Sequence, residues 1–570
     1  MKLEPLRIGT RRSALAIWQA NQVRGILSTN GIPSELVHLS SSGDRSLGGN
    51  LSSMVGQFVH GIDEMLIEEE VDITVHSAKD IPVQEMIGVR TIAYLERGET
   101  SDLVLTGDSS KWSLLPEVLE TEESSGLVEI LTEIPEKSKI GTVSGRRQSF
   151  LLSSRPDLVP ISVRGHIETR LNRLIENRAN YLILAEAGIR RLFDSSTLTD
   201  MHRSLRAIRI SEDDWPTAPG QGAIAVNCRS MDAAKHNNLR KILNHAITED
   251  AVSEERLALK RIGGGCLYPA GIKSQGGAIT AAISPENWRV SYSTGNQYDV
   301  YRYQGNVSEL DLSEIGVREK NSVATNGDRK LVTTLTSRRL STQLNKCGVQ
   351  TFDVPVVELK SLPEKWPSDF IDADAERSQW PILVLTSPFA AKCAVEISDT
   401  NPDISRIEWL AIGEGTHKAC FEAGVTVSYC GMSKDSEQLV EYISENIAND
   451  SPLFVPRSSK SDSLFADSLT LLGFRVEAWT GYENMPITVE NTTIGQDDVL
   501  LISSSSSAKS WADNNLKVPK TILSMGRKTT ETIETTPYFQ GTEVVTLESP
   551  TLDYILDFWE FNVRSGGFGR

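Results

Sequence analysis

Apolar residues in the first half of the chain recur at alternate positions over short runs, then at helical spacing over longer ones, then at alternate positions again. Strands and helices are therefore expected to take turns, as in an α/β protein. Leu6-Arg-Ile-Gly-Thr10 predicts a strand. Ser13 then stands where a helix N-cap would, and Leu15, Trp18, Val23 and Ile26 are that helix's expected inward face. Val71-Asp-Ile-Thr-Val75 alternates cleanly and predicts a second strand. Residues 108–137 are acidic and rich in turn formers, so they are expected to form a surface excursion and not core. Leu158-Val-Pro-Ile-Ser-Val163 is a further apolar run, which puts Arg164 at a strand end just before a helix. The polar stretch 316–329, with a turn signal at Asn326-Gly327, is the expected linker to a second region of apolar periodicity.

That second region repeats itself loosely. Lys330-Leu-Val-Thr-Thr-Leu opens a strand whose following helix closes at Cys347-Gly348, and Leu453-Phe-Val-Pro456 opens another whose helix closes at Leu472-Gly473. Each glycine sits where a left-handed helix end favours it. A second pair matches as well: Val384-Leu-Thr-Ser-Pro388 before Ala411-Ile-Gly413, and Leu501-Ile-Ser-Ser-Ser505 before Ser524-Met-Gly526. Two similar α/β lobes facing each other across a cleft are expected; the plainer account is that any two α/β domains share this much.

The chain has 570 residues and a formal charge of −18, from 58 Lys+Arg against 76 Asp+Glu. At about 150 residues per domain, that length predicts three to five domains. The acidic balance argues against a chain built as a whole to hold nucleic acid, though not against a local basic site. No apolar stretch reaches membrane-spanning length and the start does not read as a signal peptide, so a cytoplasmic protein is expected. Its cysteines (Cys228, Cys266, Cys347, Cys393, Cys420, Cys430) are too scattered for a disulfide framework or a zinc site. No Walker loop or His-Glu-x-x-His appears, and no metal is expected. Cys228, in a strand-like run, reads as core.

Against that acidic background, residues 141–191 carry nine arginines, no lysine and four acids. Guanidinium forks match carboxylates and phosphates, so an anionic ligand with several such groups is one reading; salt bridging to the acidic remainder is the other. Arg11 and Arg12 repeat the strand-end placement of Arg164, a position that favours anions. His76-Ser-Ala-Lys79-Asp80-Ile-Pro82 leaves a strand at a corner. Its Lys-Asp pair is either structural or a carboxylate kept ionised among cations, able to stabilise positive charge or move a proton. Gly263-Gly-Gly-Cys266 sets one thiol after three glycines, as an anchor or as a small residue in a tight turn. Gly220-Gln-Gly222 is too short for a dinucleotide fingerprint.

Taken in order, the motifs of residues 6–310 resemble those of porphobilinogen deaminase, also called hydroxymethylbilane synthase. They are Arg7-Ile-Gly-Thr-Arg11-Arg-Ser13, His76-Ser-Ala-Lys79-Asp80, Gly141-Thr-Val-Ser144-Gly-Arg146-Arg147, Arg164-Gly-His-Ile-Glu-Thr-Arg170, Ala187-Gly-Ile-Arg190-Arg191, Ala218-Pro-Gly-Gln-Gly222 and Gly264-Gly-Cys266. The resemblance implies two lobes like those of periplasmic binding proteins plus a small α+β domain. It also implies a dipyrromethane cofactor joined to Cys266 by a thioether, on which four porphobilinogen units are added with loss of ammonia to give hydroxymethylbilane. Asp80 is then the catalytic carboxylate. Lys79, Ser13, Ser144, Arg146 and Arg147 would hold the cofactor, and Arg11, Arg164, Arg170 and Arg191 the substrate carboxylates. The chemistry agrees, since every pyrrole brings an acetate and a propionate. Three positions depart from the family: Met54-Val-Gly-Gln57-Phe58 lacks the lysine of its mobile lid, His166 replaces a common Asn, and Val143 a common Ser.

Residues 330–563 are similar to uroporphyrinogen-III synthase, on Thr386-Ser387-Pro388, Ala411-Ile-Gly413, Pro456-Arg457, Gly481-Tyr482, Ser503, and Met525-Gly526 with Lys528-Thr529. That family has two flavodoxin- or Rossmann-like α/β lobes. It closes hydroxymethylbilane with inversion of the last pyrrole, through a spiro intermediate. Tyr482 is the implied catalyst for loss of the hydroxyl, or else interface packing; Ser503 and Thr529 would hold carboxylates. The implied partition is 1–98 with 212–232, 99–211, and 233–315 for the deaminase, a linker at 316–329, then 330–357 with 484–563, and 358–483 for the synthase. The implied partners are the small molecules porphobilinogen and hydroxymethylbilane, with no nucleic acid, membrane or obligate protein partner. Fusion would raise the second enzyme's effective concentration near an unstable product. Two other readings stand beside this one: a non-catalytic polycarboxylate-binding protein, and a deaminase whose second half only docks or regulates.

Overall fold

A computed structural model of the chain describes residues 4–39, 57–84, 86–108, 111–263, 268–310, 329–372, 376–433, 435–490, 492–548 and 551–560. The chain forms two compact units, Met1–Trp288 with Tyr298–Val317, and Arg289–Gln297 with Arg318–Arg570. Apart from residue 329, the expected linker 316–329 lies outside the described residues, as does Cys266.

The first unit holds three sheets. In the first, the strand order is Ser34–Leu39, Leu6–Arg11, Ile73–Ser77, Ile224–Arg229, Val89–Tyr94. Leu6–Arg11 pairs in parallel with both its neighbours, and Ile224–Arg229 enters antiparallel between Ile73–Ser77 and Val89–Tyr94. The predicted strand at 71–75 is displaced two residues toward the C-terminus. It is buried over Ile73 to His76 instead of alternating, because it is central in the sheet. Ser13 caps the Ala14–Thr29 helix by accepting from the Ala16 N–H. That helix buries Ala16, Ala20, Val23 and Leu27 against Ile8, Ile73 and Val226, while Leu15, Trp18 and Ile26 stay half-buried. Cys228 is core as expected, and burial pushes its thiol up to about 11.

The second sheet runs Ser113–Leu114, Arg206–Arg209, Asp102–Thr106, Tyr181–Ala185, Lys139–Gly141, Val159–Ile161. Here the expectation of a coreless excursion at 108–137 fails. Ser113–Leu114 is the sheet's edge strand, and the helices Leu115–Glu120 and Leu127–Glu133 bury Leu115, Leu119, Leu127, Ile130 and Leu131. The many acids hid an apolar face. Arg209 ties the segment down by donating to the carbonyls of Val118, Thr121 and Glu123 while its guanidinium pairs with the fully buried Glu186. The third sheet is an antiparallel meander of Ala270–Gln275, Ala278–Ile283 and Tyr301–Gly305, whose first hairpin turns on Gly276-Gly277 at φ of +62° and +83°. The Ala246–Arg261 helix packs on it through Ala258 and Leu259.

The second unit holds two sheets. One runs Thr351–Asp353, Leu331–Thr333, Val499–Ile502, Thr521–Ser524, Glu543–Thr546, all parallel. The other runs Val357–Ser361, Val476–Pro486, Leu453–Ser458, Ile382–Leu385, Glu408–Ala411, Tyr429–Cys430, antiparallel only at its Val357–Ser361 edge. Without that edge the two orders coincide strand for strand: Leu331 answers Leu453, Thr351 answers Val476, Val499 answers Ile382, and Thr521 answers Glu408. This is the repeat read from the sequence. Gly348 and Gly473 end their helices at φ of +81° and +93°, in the left-handed region that favours glycine. Among the described residues no helix is long and apolar enough to cross a membrane.

Candidate functional site

Lys79 and Asp80 occupy a 3₁₀ turn, Ala78–Asp80, at the end of the Ile73–Ser77 strand. A buried network fixes that strand end. Asp63 lies 2.8 Å from His76 Nε2 and accepts from the Thr74 hydroxyl at 2.7 Å and from Asn227 at 3.2 Å. Burial would raise the Asp63 carboxyl, but His76 and these donors hold it below its ordinary value. Gln19, on the helix that Ser13 caps, donates to the Ser77 hydroxyl at 2.8 Å. The corner therefore presents Asp80 to solvent on a rigid base.

Cations surround it. Burial lowers the half-buried Lys79 ammonium to about 8; Arg147 and Arg170 lower it further, while Asp80 and Asp102 oppose them. Burial also lowers the Arg170 guanidinium to about 10, with Arg147, Arg173 and Arg11 adding to the effect and Asp80 resisting it. Lys79 and Arg170 thus both feel Asp80 and Arg147, and Arg170 also feels Arg11. Arg170 Nε donates to the Gly165 carbonyl at 2.8 Å, in the loop between Arg164 and the Ile167–Ile175 helix. Arg164 is itself 8% exposed. Arg191 donates to the Gly222 carbonyl at 2.6 Å and stacks over Trp18, its guanidinium 5.4 Å from the ring centre. Ser13 and Ser144 each cap a helix, Ser144 accepting from the Arg147 N–H. His166 stands at the N-cap of the Ile167–Ile175 helix, with no capping bond from its side chain.

Sequence reading missed the residue that organises Arg146 and Arg147. Asp102 is fully buried and accepts from Arg147 Nε at 3.0 Å and Nη2 at 2.6 Å, from Arg146 Nη2, from Trp215 Nε1 at 2.8 Å and from Gln221 Nε2 at 2.9 Å. Burial pushes this carboxyl up, yet Arg147 and Arg146 together hold it well below the usual range. Two guanidinium groups against one carboxylate leave a net positive charge beside Lys79. The available signal was a lone acid opening the apolar run Asp102-Leu-Val-Leu, since a charge buried there needs a partner. Salt bridging does account for other arginines of the 141–191 cluster: Arg155 pairs with Asp157, Arg178 with Glu176 and Arg190 with Glu186.

The expected anchor Cys266 and the departing lid residues 54–56 lie outside the described residues, as do the side chains of residues 57 and 58. Chain leading to the cysteine is held firmly, however. Glu255, on the Ala246–Arg261 helix, is fully buried and accepts from Arg97 at 2.8 and 3.0 Å, from the Gly220 N–H at 2.7 Å and from the Ser274 N–H at 3.0 Å. The Gly220–Gly222 turn abuts the Lys79–Asp80 corner directly. A Cβ on Gly222, whose φ is +85°, would lie 2.6 Å from the Gly98 carbonyl oxygen and 2.7 Å from that of Glu99. Gly222→Ala is accordingly expected to cost about 3 kcal/mol, read as a lowered denaturant midpoint.

In the second unit, Tyr482 is 7% exposed, its hydroxyl 3.0 Å from that of Ser387 and its ring 5.1 Å from that of Phe389. Burial raises the phenol's pKa, and the bond to Ser387 opposes that. Ser387 also caps the Pro388–Ser398 helix. Ser503 follows the Val499–Ile502 strand; its hydroxyl is 3.0 Å from that of Thr334 and 3.2 Å from that of Ser507. Thr529 lies in the first turn of the Arg527–Thr535 helix and is buried. Asn484, two residues beyond Tyr482, donates to the Ser506 hydroxyl at 3.0 Å, a link between the two sequence motifs that sequence reading did not find. Among the described residues, no group of three His, Cys, Asp or Glu stands placed to hold a metal ion.

Two family models match. Residues 6–237 match porphobilinogen deaminase, dipyromethane cofactor binding domain, and residues 338–555 match uroporphyrinogen-III synthase HemD. A porphobilinogen deaminase of Geobacter sulfurreducens is 36% identical over 282 residues, covering 48% of this chain and 79% of that protein. The chain belongs to the porphobilinogen deaminase family. A second porphobilinogen deaminase, from Trichlorobacter lovleyi, is 35% identical over 268 residues, 46% of this chain and 77% of its own. Among solved structures, a uroporphyrinogen-III synthetase of Helicobacter pylori is 16% identical with a TM-score of 0.28, over 40% of this chain and 97% of its own. A score that low adds nothing to the match at 338–555. The chain carries a uroporphyrinogen-III synthase domain beside its porphobilinogen deaminase domain, so both steps of tetrapyrrole biosynthesis are present, and its cofactor is dipyrromethane. A non-catalytic polycarboxylate-binding protein does not account for these matches. The residues around Asp80 fit a cofactor rich in carboxylates: a net positive charge lies beside Lys79, and helix starts stand at Ser13 and Ser144.

Proposed function

We propose that Asp80 is the catalytic carboxylate of the deaminase half and that the cations around it hold pyrrole carboxylates. The carrying observation is the exposed Asp80 on a rigid corner within reach of Lys79 and Arg170, which Arg147 and Arg11 in turn approach. The dipyrromethane, joined to Cys266, supplies the growing end to which porphobilinogen units are added. Arg11, Arg164, Arg170 and Arg191 bind the acetate and propionate groups of incoming units by charge-assisted hydrogen bonds. Lys79, Arg146 and Arg147 hold those of the cofactor, with Ser13 and Ser144 keeping the adjoining helix starts in place. As ammonia leaves porphobilinogen, positive charge develops on its pyrrole, and Asp80 stabilises that charge without moving, since its corner is already fixed. Asp80→Asn keeps the shape and removes the charge. It is expected to lower kcat about 100-fold while the intact mass still shows the attached cofactor; unchanged kcat would remove the assignment.

The sheet composition supports the partition 1–98 with 212–232, 99–211, and 233–315, because Ile224–Arg229 returns to the first sheet after the chain has built the second. Periplasmic-binding-protein-like lobes are the corresponding architecture. The coinciding strand orders support two flavodoxin-like synthase lobes, 330–357 with 484–563 and 358–483, the chain entering one, building the other and returning. Between them Tyr482 assists departure of the hydroxyl of hydroxymethylbilane, while Ser503 and Thr529, with helix-start N–H groups, hold ring carboxylates. Tyr482→Phe is expected to slow ring closure by about 100-fold with little change in KM, the loss of one hydrogen-bonding proton donor. A wild-type rate would leave Tyr482 a packing residue against Phe389. The small-molecule substrates and a cytoplasmic location belong to this reading.

A further inference from the structure

Gln221 lies between the two halves of the cation cluster. It is 1% exposed and sits in the turn from Gly220 to Gly222. Its Nε2 donates to Asp102 Oδ1 at 2.9 Å and to the Thr100 carbonyl at 2.6 Å, while its Oε1 accepts from Lys79 Nζ at 3.4 Å. These partners allow one orientation of the amide, oxygen toward the ammonium and nitrogen toward the carboxylate and carbonyl. The backbone around it is held as tightly. Arg97 donates to the Gln221 carbonyl at 2.9 Å, Glu255 accepts from the Gly220 N–H, and the Ala78 N–H donates to the Ala223 carbonyl at 3.0 Å. A Cβ on Gly220, whose φ is +77°, would lie 3.1 Å from the backbone nitrogen of Lys79, so the turn and the catalytic corner are in direct contact.

We propose that Gln221 is a positioning residue of the deaminase reaction: it ties Lys79 to Asp102, and through Asp102 to the Arg146–Arg147 pair, so that these cations meet the cofactor's carboxylates in one fixed arrangement. The proposal rests on the assignment of Lys79, Arg146 and Arg147 to the cofactor made above. Only a primary amide serves here. A carboxylate at 221 would face Asp102 and the Thr100 carbonyl with no proton to offer, and an apolar side chain would leave the Lys79 ammonium without this acceptor. The charged groups facing Lys79 are Asp80, Arg147, Asp102 and Arg170. Losing a neutral acceptor therefore leaves the ammonium less favoured, and adding a carboxylate leaves it more favoured.

The test uses the full chain made in cells unable to produce porphobilinogen, as wild type, Gln221→Met, Gln221→Glu and Lys79→Met. Two quantities are read, the first for the three chains that keep Lys79 and the second for all four. One is the pH midpoint at which an amine-acylating reagent modifies Lys79, by peptide mass analysis. The other is the rate at which the intact mass gains the cofactor after porphobilinogen is added. The wild-type midpoint is expected near 8. Gln221→Met should lower it, and Gln221→Glu should raise it. Both should slow cofactor gain about tenfold, the effect of losing one hydrogen bond to a charged group. A role in folding alone would lower the melting temperature without moving the midpoint in opposite directions, and that result overturns the proposal. So does cofactor gain at the wild-type rate in both Gln221 variants while Lys79→Met is slow. If Lys79→Met also gains cofactor at the wild-type rate, the cation assignment itself falls, and the proposal with it.

Discussion

Cys266→Ser is expected to yield a chain whose mass equals that of its polypeptide alone, and whose deaminase rate falls to background. The covalent cofactor is the primer for every later addition, so its loss removes turnover and not merely affinity. The synthase step should survive in the same sample when hydroxymethylbilane is supplied, because its residues lie in the other compact unit. Wild type from cells that make porphobilinogen should carry a mass excess equal to two linked pyrroles. The helix leading to the cysteine is fixed by Glu255 through Arg97, Gly220 and Ser274, so Cys266→Ser is expected to melt with wild type made without porphobilinogen and below the cofactor-bearing wild type, which its bound cofactor stabilises. A Cys266→Ser chain that still gained the excess would place the attachment elsewhere.

Asp102→Asn is expected to be the most destabilising single-atom change in the deaminase half. It leaves the guanidinium groups of Arg146 and Arg147, which are 4% and 8% exposed, facing a neutral amide. Breaking a buried pair in this way costs about 3–5 kcal/mol, or roughly 10 °C in melting temperature for a unit of this size. The pH dependence has a definite sign. The folded-state pKa of Asp102 is depressed, so its contribution is complete above the unfolded value near ~4 and is lost as the pH falls below it. The variant should therefore converge on wild type in acid. Thermal denaturation at neutral and at acid pH checks both points, and a constant difference between the two chains would contradict this account of Asp102.

The parts of this molecule legible in its sequence are those decided locally. Ser13 as a cap, Gly348 and Gly473 as helix ends, Arg164 in the connection from a strand to a helix and the repeated strand-helix plan each depend on a few neighbouring residues. The short motifs also put Lys79, Asp80 and the arginines in one family. What stayed hidden depends on partners far apart in the chain. Asp102 meets Trp215 across 113 positions, and Arg97 meets Glu255 across 158. No periodicity reports such pairs. Residues 108–137 misled for a different reason: their acids are real, but they lie in loops or on the outer face of two short helices whose inner face is apolar. Asn484 was missed because its partner Ser506 belongs to a serine run that reads simply as a turn.

The central claim is that one chain performs both steps. It is tested most directly by giving the purified, cofactor-bearing chain porphobilinogen alone and separating the oxidised porphyrin products by isomer. The account predicts predominantly the type III isomer from wild type, and the type I isomer from Tyr482→Phe as unassisted closure overtakes the slowed enzyme. Type I from the wild type, with porphobilinogen consumed normally, would show that the second half does not close the ring.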